Sequence, residues 1–166
     1  MKKILFCLLI AATLFSLSCK TTATTSGAVI EGDVTQGKVN DALNQIYNSY
    51  RSRLDFTGSQ QYTVVSGDTL SQITRRFYSD LTGVGNAGAN NGFYFPVIML
   101  ASDSHIVDPD FIEPGMKLTI IDLKRNLSAS GPRKAIKDCI SDVAYVYNRK
   151  GVKVTEDGLK TLANSL

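Results

Sequence analysis

The stretch Tyr62-Thr63-Val64-Val65-Ser66-Gly67-Asp68-Thr69-Leu70-Ser71-Gln72-Ile73 changes its hydrophobic rhythm halfway along. Its first four residues are β-prone and Ser66-Gly67 is a turn pair; Leu70, Ile73 and Phe77 then recur at helical spacing, with Asp68 placed as the helix N-cap. A strand therefore turns sharply into a helix. Downstream, Pro96 at a first-turn position opens Val97-Ile98-Met99-Leu100-Ala101, apolar on every side and so expected as a buried helix. Asp108-Pro109-Asp110 and Pro114-Gly115 make turns, and Lys117-Leu118-Thr119-Ile120 alternates like a strand with one buried face. The order strand, helix, helix, strand lets both strands pair in one small sheet with both helices on a single face.

Outward from this unit the pattern is helical. Ala42, Leu43, Ile46, Tyr47, Tyr50 and Leu54 follow Val39 as one amphipathic stripe, assigned to 38–58. Gly131 and Pro132 introduce a second stripe, Ile136, Cys139, Ile140, Val143 and Tyr147, which ends at Arg149-Lys150-Gly151. Thr155, with Glu156 and Asp157 behind it, is expected to cap a last helix carrying Leu159, Leu162, Ala163 and Leu166, so that 132–166 is a helical segment. A short helix is marginal alone, so these stripes are expected to pack internally.

The residues Tyr62-x-Val64-x-x-Gly67-Asp68-Thr69-Leu70-x-x-Ile73, followed by Ile106-x-Asp108-Pro109-Asp110-x-Ile112-x-Pro114-Gly115-x-x-Leu118-x-Ile120, closely resemble the lysin motif (LysM) family. The resemblance covers 62–121 and implies an α+β fold: a βααβ unit, two antiparallel strands with two helices on one face, flanked here by additional α-helices. It also implies binding of glycans that contain N-acetylglucosamine, chiefly peptidoglycan strands and also chitin. In the family the ligand lies between two loops. Carried over, the first wall is Gly67, Asp68, Thr69 and Leu70, and the second is Asp103, Ser104, His105 and Ile106. An acetamido group offers one N–H, one C=O and a methyl, which backbone groups and apolar side chains such as Leu70 and Ile106 can meet.

The chain departs from the family at 79–95, an insertion with several glycines and asparagines that is expected to be a flap or an added wall. Within it Gly83-Val84-Gly85-Asn86-Ala87-Gly88 matches a dinucleotide fingerprint by letters alone, because a helix rather than a buried strand precedes it.

Lys2 and Lys3 precede a charge-free run from Ile4 to Leu17, shorter than the about 20 apolar residues that a spanning helix needs and shaped like a secretory signal over 1–18. Ser16-Leu17-Ser18-Cys19 resembles the cleavage box of bacterial lipoproteins, which implies lipid on Cys19 and a flexible tether over 19–37. The expected place is the cell envelope, membrane-anchored and exported.

Composition excludes other classes. The 18 Lys+Arg against 15 Asp+Glu include the two leader lysines, so no basic stripe points to nucleic acid. With Cys7 in the leader and Cys19 lipidated, Cys139 has no disulfide partner; it is expected as a small buried hydrophobe. One histidine supports neither a zinc site nor a catalytic triad, and Asp108, Asp110 and Glu113 are expected as solvated turn residues. No cofactor, metal or catalytic residue is therefore expected. The sequence reads as a non-catalytic envelope lipoprotein that binds peptidoglycan. The alternatives are an envelope protein–protein interaction or assembly factor that no longer binds sugar and, behind it, an accessory module of a wall hydrolase.

Overall fold

A computed structural model describes residues 29–81, 91–102 and 108–166. Cys19, the run 83–88 and the second predicted wall, 103–106, lie outside the described residues.

The first helix, α1 (Gln36–Tyr50), is capped by the Thr35 side chain and buries Val39, Ala42, Leu43, Ile46, Tyr47 and Tyr50. It ends earlier than the sequence stripe suggests, because a 3-10 turn over Arg51–Arg53 follows and leaves Leu54 still facing the core. Ahead of α1 the expected tether is already held: Ile30 is buried, and Arg149 donates to the Gly32 carbonyl at 2.8 Å.

Strand β1 (Gln60–Thr63) pairs antiparallel with β2 (Lys117–Ile120), Tyr62 opposite Leu118. The ladder runs on past the strand end, where Val64 donates to the Met116 carbonyl at 2.9 Å and Gly115 donates to the Val64 carbonyl at 2.8 Å. Between the strands come α2 (Leu70–Phe77) and α3 (Phe95–Ala101), every residue of α3 being buried. The βααβ unit is thus present. Buried Ser102 locks α3 to the sheet, its hydroxyl donating to the Ile98 carbonyl at 2.6 Å and accepting the Thr119 N–H at 2.9 Å.

Three further helices complete the body: α4 (Leu123–Ser128), α5 (Ser130–Arg149) and α6 (Lys153–Ser165). Helix α5 packs against α6 on one side and against α1 and α3 on others, so its apolar stripe is the centre of one continuous core. Each such fully buried Ile or Leu contributes about 2 kcal/mol. Cys139 lies in that stripe with no exposed surface, and burial pushes its thiol far up, so it remains a protonated hydrophobe.

Gly151 ends α5 at φ 74°, with Gly151 donating to the Asn148 carbonyl and Val152 to the Tyr147 carbonyl, both at 3.0 Å. This reversal starts α6 at Lys153, so Thr155 falls inside the first turn rather than capping it. The sequence reading placed the cap there because Thr-Glu-Asp looks like one; the preceding glycine reversal overrides it. Glu156 in that turn is buried and paired with Lys160 and Lys153.

Helix α4 ties the far end of the sheet to the segment before β1. Its buried Asn126 accepts the Asp55 N–H at 2.9 Å and donates to the Asp55 carbonyl at 2.8 Å. The Asp55 carboxylate accepts from Thr57 and from Arg125.

Hydrogen bonds from Thr57, then Arg125, hold the Asp55 carboxyl at about 2; one from Lys160, then Asn148, holds that of Glu156 at about 2. Both values are depressed, so the stabilisation is complete above the ordinary carboxylate range near 4 and is lost as pH falls through the folded values. Thermal melting followed by circular dichroism is expected to be level from pH 7 to pH 5 and to drop steeply toward pH 2. The acid drop should be shallower in Asp55→Asn.

Candidate functional site

The first wall is built by a turn that only its sequence permits. Gly67 stands at φ 88°, where side chains are strained, and Asp68 donates to the Val65 carbonyl at 3.1 Å to close the reversal. Gly67 therefore shapes the loop rather than lining the cavity beneath it.

Asp68 does not cap the helix. Its carboxylate accepts the Tyr62 hydroxyl at 2.6 Å and the Val65 N–H at 3.0 Å, with the Arg76 guanidinium 3.6 Å away. Those bonds, Tyr62 first, hold the carboxyl below its ordinary value. The cap belongs to Thr69, whose hydroxyl accepts from Gln72 N–H at 3.3 Å while the Gln72 side chain accepts the Thr69 N–H at 3.1 Å. Asp68 was misread because it sits one residue before a capping box and is itself a good cap residue. The outcome is a rigid loop that fixes Thr69, Leu70 and Ser71.

Across from it stand Pro109, Asp110 and Ile112, in the loop before β2. They supply the opposite wall that the described residues show; sequence reasoning read them as turn and motif residues and placed the second wall at 103–106 instead. Asp108, expected in solvent, is only 4% exposed. It accepts from Gln36 at 2.7 Å and from the Asp110 N–H at 3.0 Å, and Lys150 lies 3.3 Å from one of its oxygens. The loop folds back onto α5, and burial of Asp108 follows because Lys150 is there to neutralise it. Asp110 and Glu113 do remain exposed.

Lys150 also approaches Asp110 at 2.6 Å, and the Tyr147 hydroxyl donates to Asp110 at 3.0 Å. The ammonium sits 4.9 Å from the centre of the Tyr147 ring. Burial, and then the neighbouring Asp110 charge, push the Tyr147 hydroxyl well up, so it stays a donor. Asp110 is thereby held in place at the rim.

Between the walls lies a cavity of about 320 Å³. Thr69, Ser71, Asp68, Asp110 and Thr155 supply polar rim groups, while Leu70, Ile112, Phe93, Phe95 and Tyr147 supply apolar surface. Phe95 and Tyr147 meet edge to face at 5.8 Å behind it. The insertion proves to be wall and core in its last part: 91–94 form a 3-10 turn, Tyr94 is fully buried against Tyr78, and Phe93 lines the cavity. Of the predicted first wall, Asp68, Thr69 and Leu70 line it. A wider, shallower recess of about 1100 Å³ runs along the outer face of α1 and shares no lining residue with this cavity. Its lining is mostly one helix surface, without opposing loops that converge on a ligand.

A small cavity with an apolar floor and a hydroxyl- and carboxylate-bearing rim suits a neutral polyol that carries an apolar substituent. Among the described residues no group of His, Cys, Asp and Glu is disposed to hold a metal ion.

Residues 62–120 match the LysM domain family, and they form a LysM domain with the two-stranded antiparallel sheet and helices described above. LysM domains bind glycan chains such as peptidoglycan and chitin. Two proteins named esterase, from the CDC 1551 / Oshkosh and H37Rv strains of Mycobacterium tuberculosis, are each 38% identical to this chain over 77 residues. The shared stretch is 46% of this chain but 13% of either esterase. No solved structure gives a significant match.

Lys150→Ala would leave Asp108 buried beside a carboxylate neighbour with no cation, and is expected to cost about 3–5 kcal/mol in urea unfolding. The double change Asp108→Asn with Lys150→Met is expected to cost clearly less than that single one.

Proposed function

We propose that this protein is a non-catalytic cell-envelope lipoprotein that holds peptidoglycan through the cavity between its two loops. The observation that carries the reading is the cavity itself, walled by Asp68–Ser71 on one side and Pro109–Ile112 on the other, within the LysM domain. An N-acetylglucosamine unit would set its methyl against Ile112 and Leu70 and its hydroxyls and amide against the rim. Binding would be weak per sugar and would gain strength from repetition along the strand.

Cys19 would receive lipid after removal of 1–18, and the residues from 20 to the start of the described body would form the tether. Several acyl chains would be needed for stable anchoring, since one chain holds only marginally. Among the described residues no helix is long and apolar enough to cross a membrane. The esterase name of the relatives is not carried over, because the likeness reaches only a small part of those proteins.

The full chain, solubilised in mild detergent, is expected to co-sediment with purified peptidoglycan. Ser71→Trp, which fills the cavity from the first turn of α2, should abolish that retention while leaving the melting temperature within a few degrees. Wild-type protein that stays in the supernatant would favour the protein-interaction alternative, and soluble glycan fragments released during the assay would favour a hydrolase. Incorporation of a palmitate analogue in a bacterial host, lost on Cys19→Ala, tests the anchor.

A further inference from the structure

Among the aromatic residues that line the cavity, Phe95 and Tyr147 are buried, whereas Phe93 is only partly buried. Phe93 does not belong to either predicted wall; it comes from the end of the insertion, in the 3-10 turn that leads into α3. Its position depends on α6. A Cβ placed on Gly158 would stand 2.0 Å from the tip of the Phe93 ring and 2.3 Å from the two adjacent ring carbons. The ring edge is therefore seated in a notch on the helix that exists because residue 158 has no side chain.

Gly158 occupies the interior of α6, where glycine is the poorest helix former after proline. Its backbone is not in the left-handed region, so the turn geometry gives no reason for glycine there. The local helix would be better served by alanine, and what glycine supplies instead is room for the ring. Sequence, helix packing and the cavity wall meet at this one contact.

We propose that Phe93 is a ligand-contacting platform for the apolar face of an N-acetylhexosamine ring, and that Gly158 is the positioning residue that holds it there. This rests on the reading of the cavity as a glycan site and adds to it a wall from outside the two loops. The axial C–H groups of a pyranose and the acetamido methyl are its least hydrated surfaces. A partly buried phenyl ring lining the same cavity as Ile112 removes them from water, while the rim hydroxyls keep their partners. The C-terminal helix thereby takes part in glycan recognition although it lies outside the LysM domain.

The test is calorimetric titration of the full chain, in mild detergent, with a hexamer of N-acetylglucosamine. Phe93→Ala is expected to weaken binding roughly tenfold, and Phe93→Leu, which preserves the fold more safely, to give an intermediate loss. Gly158→Ala is expected to weaken binding by a similar factor without lowering the melting temperature in proportion, because alanine favours the helix while displacing the ring. The double variant Phe93→Ala with Gly158→Ala should bind no worse than Phe93→Ala alone, since both changes remove one contact. Wild-type protein that fails to bind the hexamer overturns the glycan reading and this inference together. Wild-type binding with Phe93→Ala and Phe93→Leu both unchanged within about twofold overturns the inference and leaves the glycan reading standing. Additive losses in the double variant overturn the positioning role of Gly158.

Discussion

The ammonium of Lys150 lies against two carboxylates and one aromatic ring, at the point where α5 gives way to α6. Asp108 and Asp110 belong to the loop before β2, so this cluster fixes where that loop runs relative to the rest of the molecule. Buried charge of this kind is costly unless every partner is present. Gln36 from α1 and the hydroxyl of Tyr147 from α5 complete the set. Two helices distant in sequence, α1 and α5, thus converge on this loop.

The functional consequence follows from rigidity. On the opposite side, Gly67 and the Thr69–Gln72 capping box hold the other loop without help from the flanking helices. A cavity between two such loops keeps its width only if both are anchored, and a preorganised site loses less entropy when a ligand arrives. The added helices therefore help to shape and anchor the cavity. Helix α5 contributes Tyr147 to the cavity and Lys150 to the anchor, and α6 contributes Thr155 and the seat for Phe93.

Much of this was legible from local pattern. The helical spacing of Leu70, Ile73 and Phe77 after a Ser-Gly turn, and the alternation over Lys117–Ile120, each report on neighbours within a few residues. Such signals define elements well. The motif resemblance then paired the two halves of the unit and located three residues that do line the cavity. What escaped were the long-range partners. Nothing near Asp108 announces Lys150, 42 residues away, so an aspartate in a turn was read as solvated. Phe93 sat in a glycine-rich stretch that offered no period, and its seat on Gly158 exists only once α6 has packed. Helix α4 was too short to show a stripe, and the cap assigned to Thr155 lost to the reversal at Gly151. The errors at Asp108 and Phe93 share one cause: each residue's role was set by an element it meets only in the folded chain, whereas Thr155 and Asp68 lost their cap roles to stronger signals a few residues away.

The most direct test of the two-walled cavity is nuclear magnetic resonance of isotope-labelled full-length protein titrated with an oligomer of N-acetylglucosamine. Backbone amide shifts are expected to concentrate in Asp68–Ser71, Asp110–Ile112 and Phe93, with the outer face of α1 silent. Shifts confined to Asp41–Ser49 on α1, or saturation of the titration with the two loops unmoved, would contradict it.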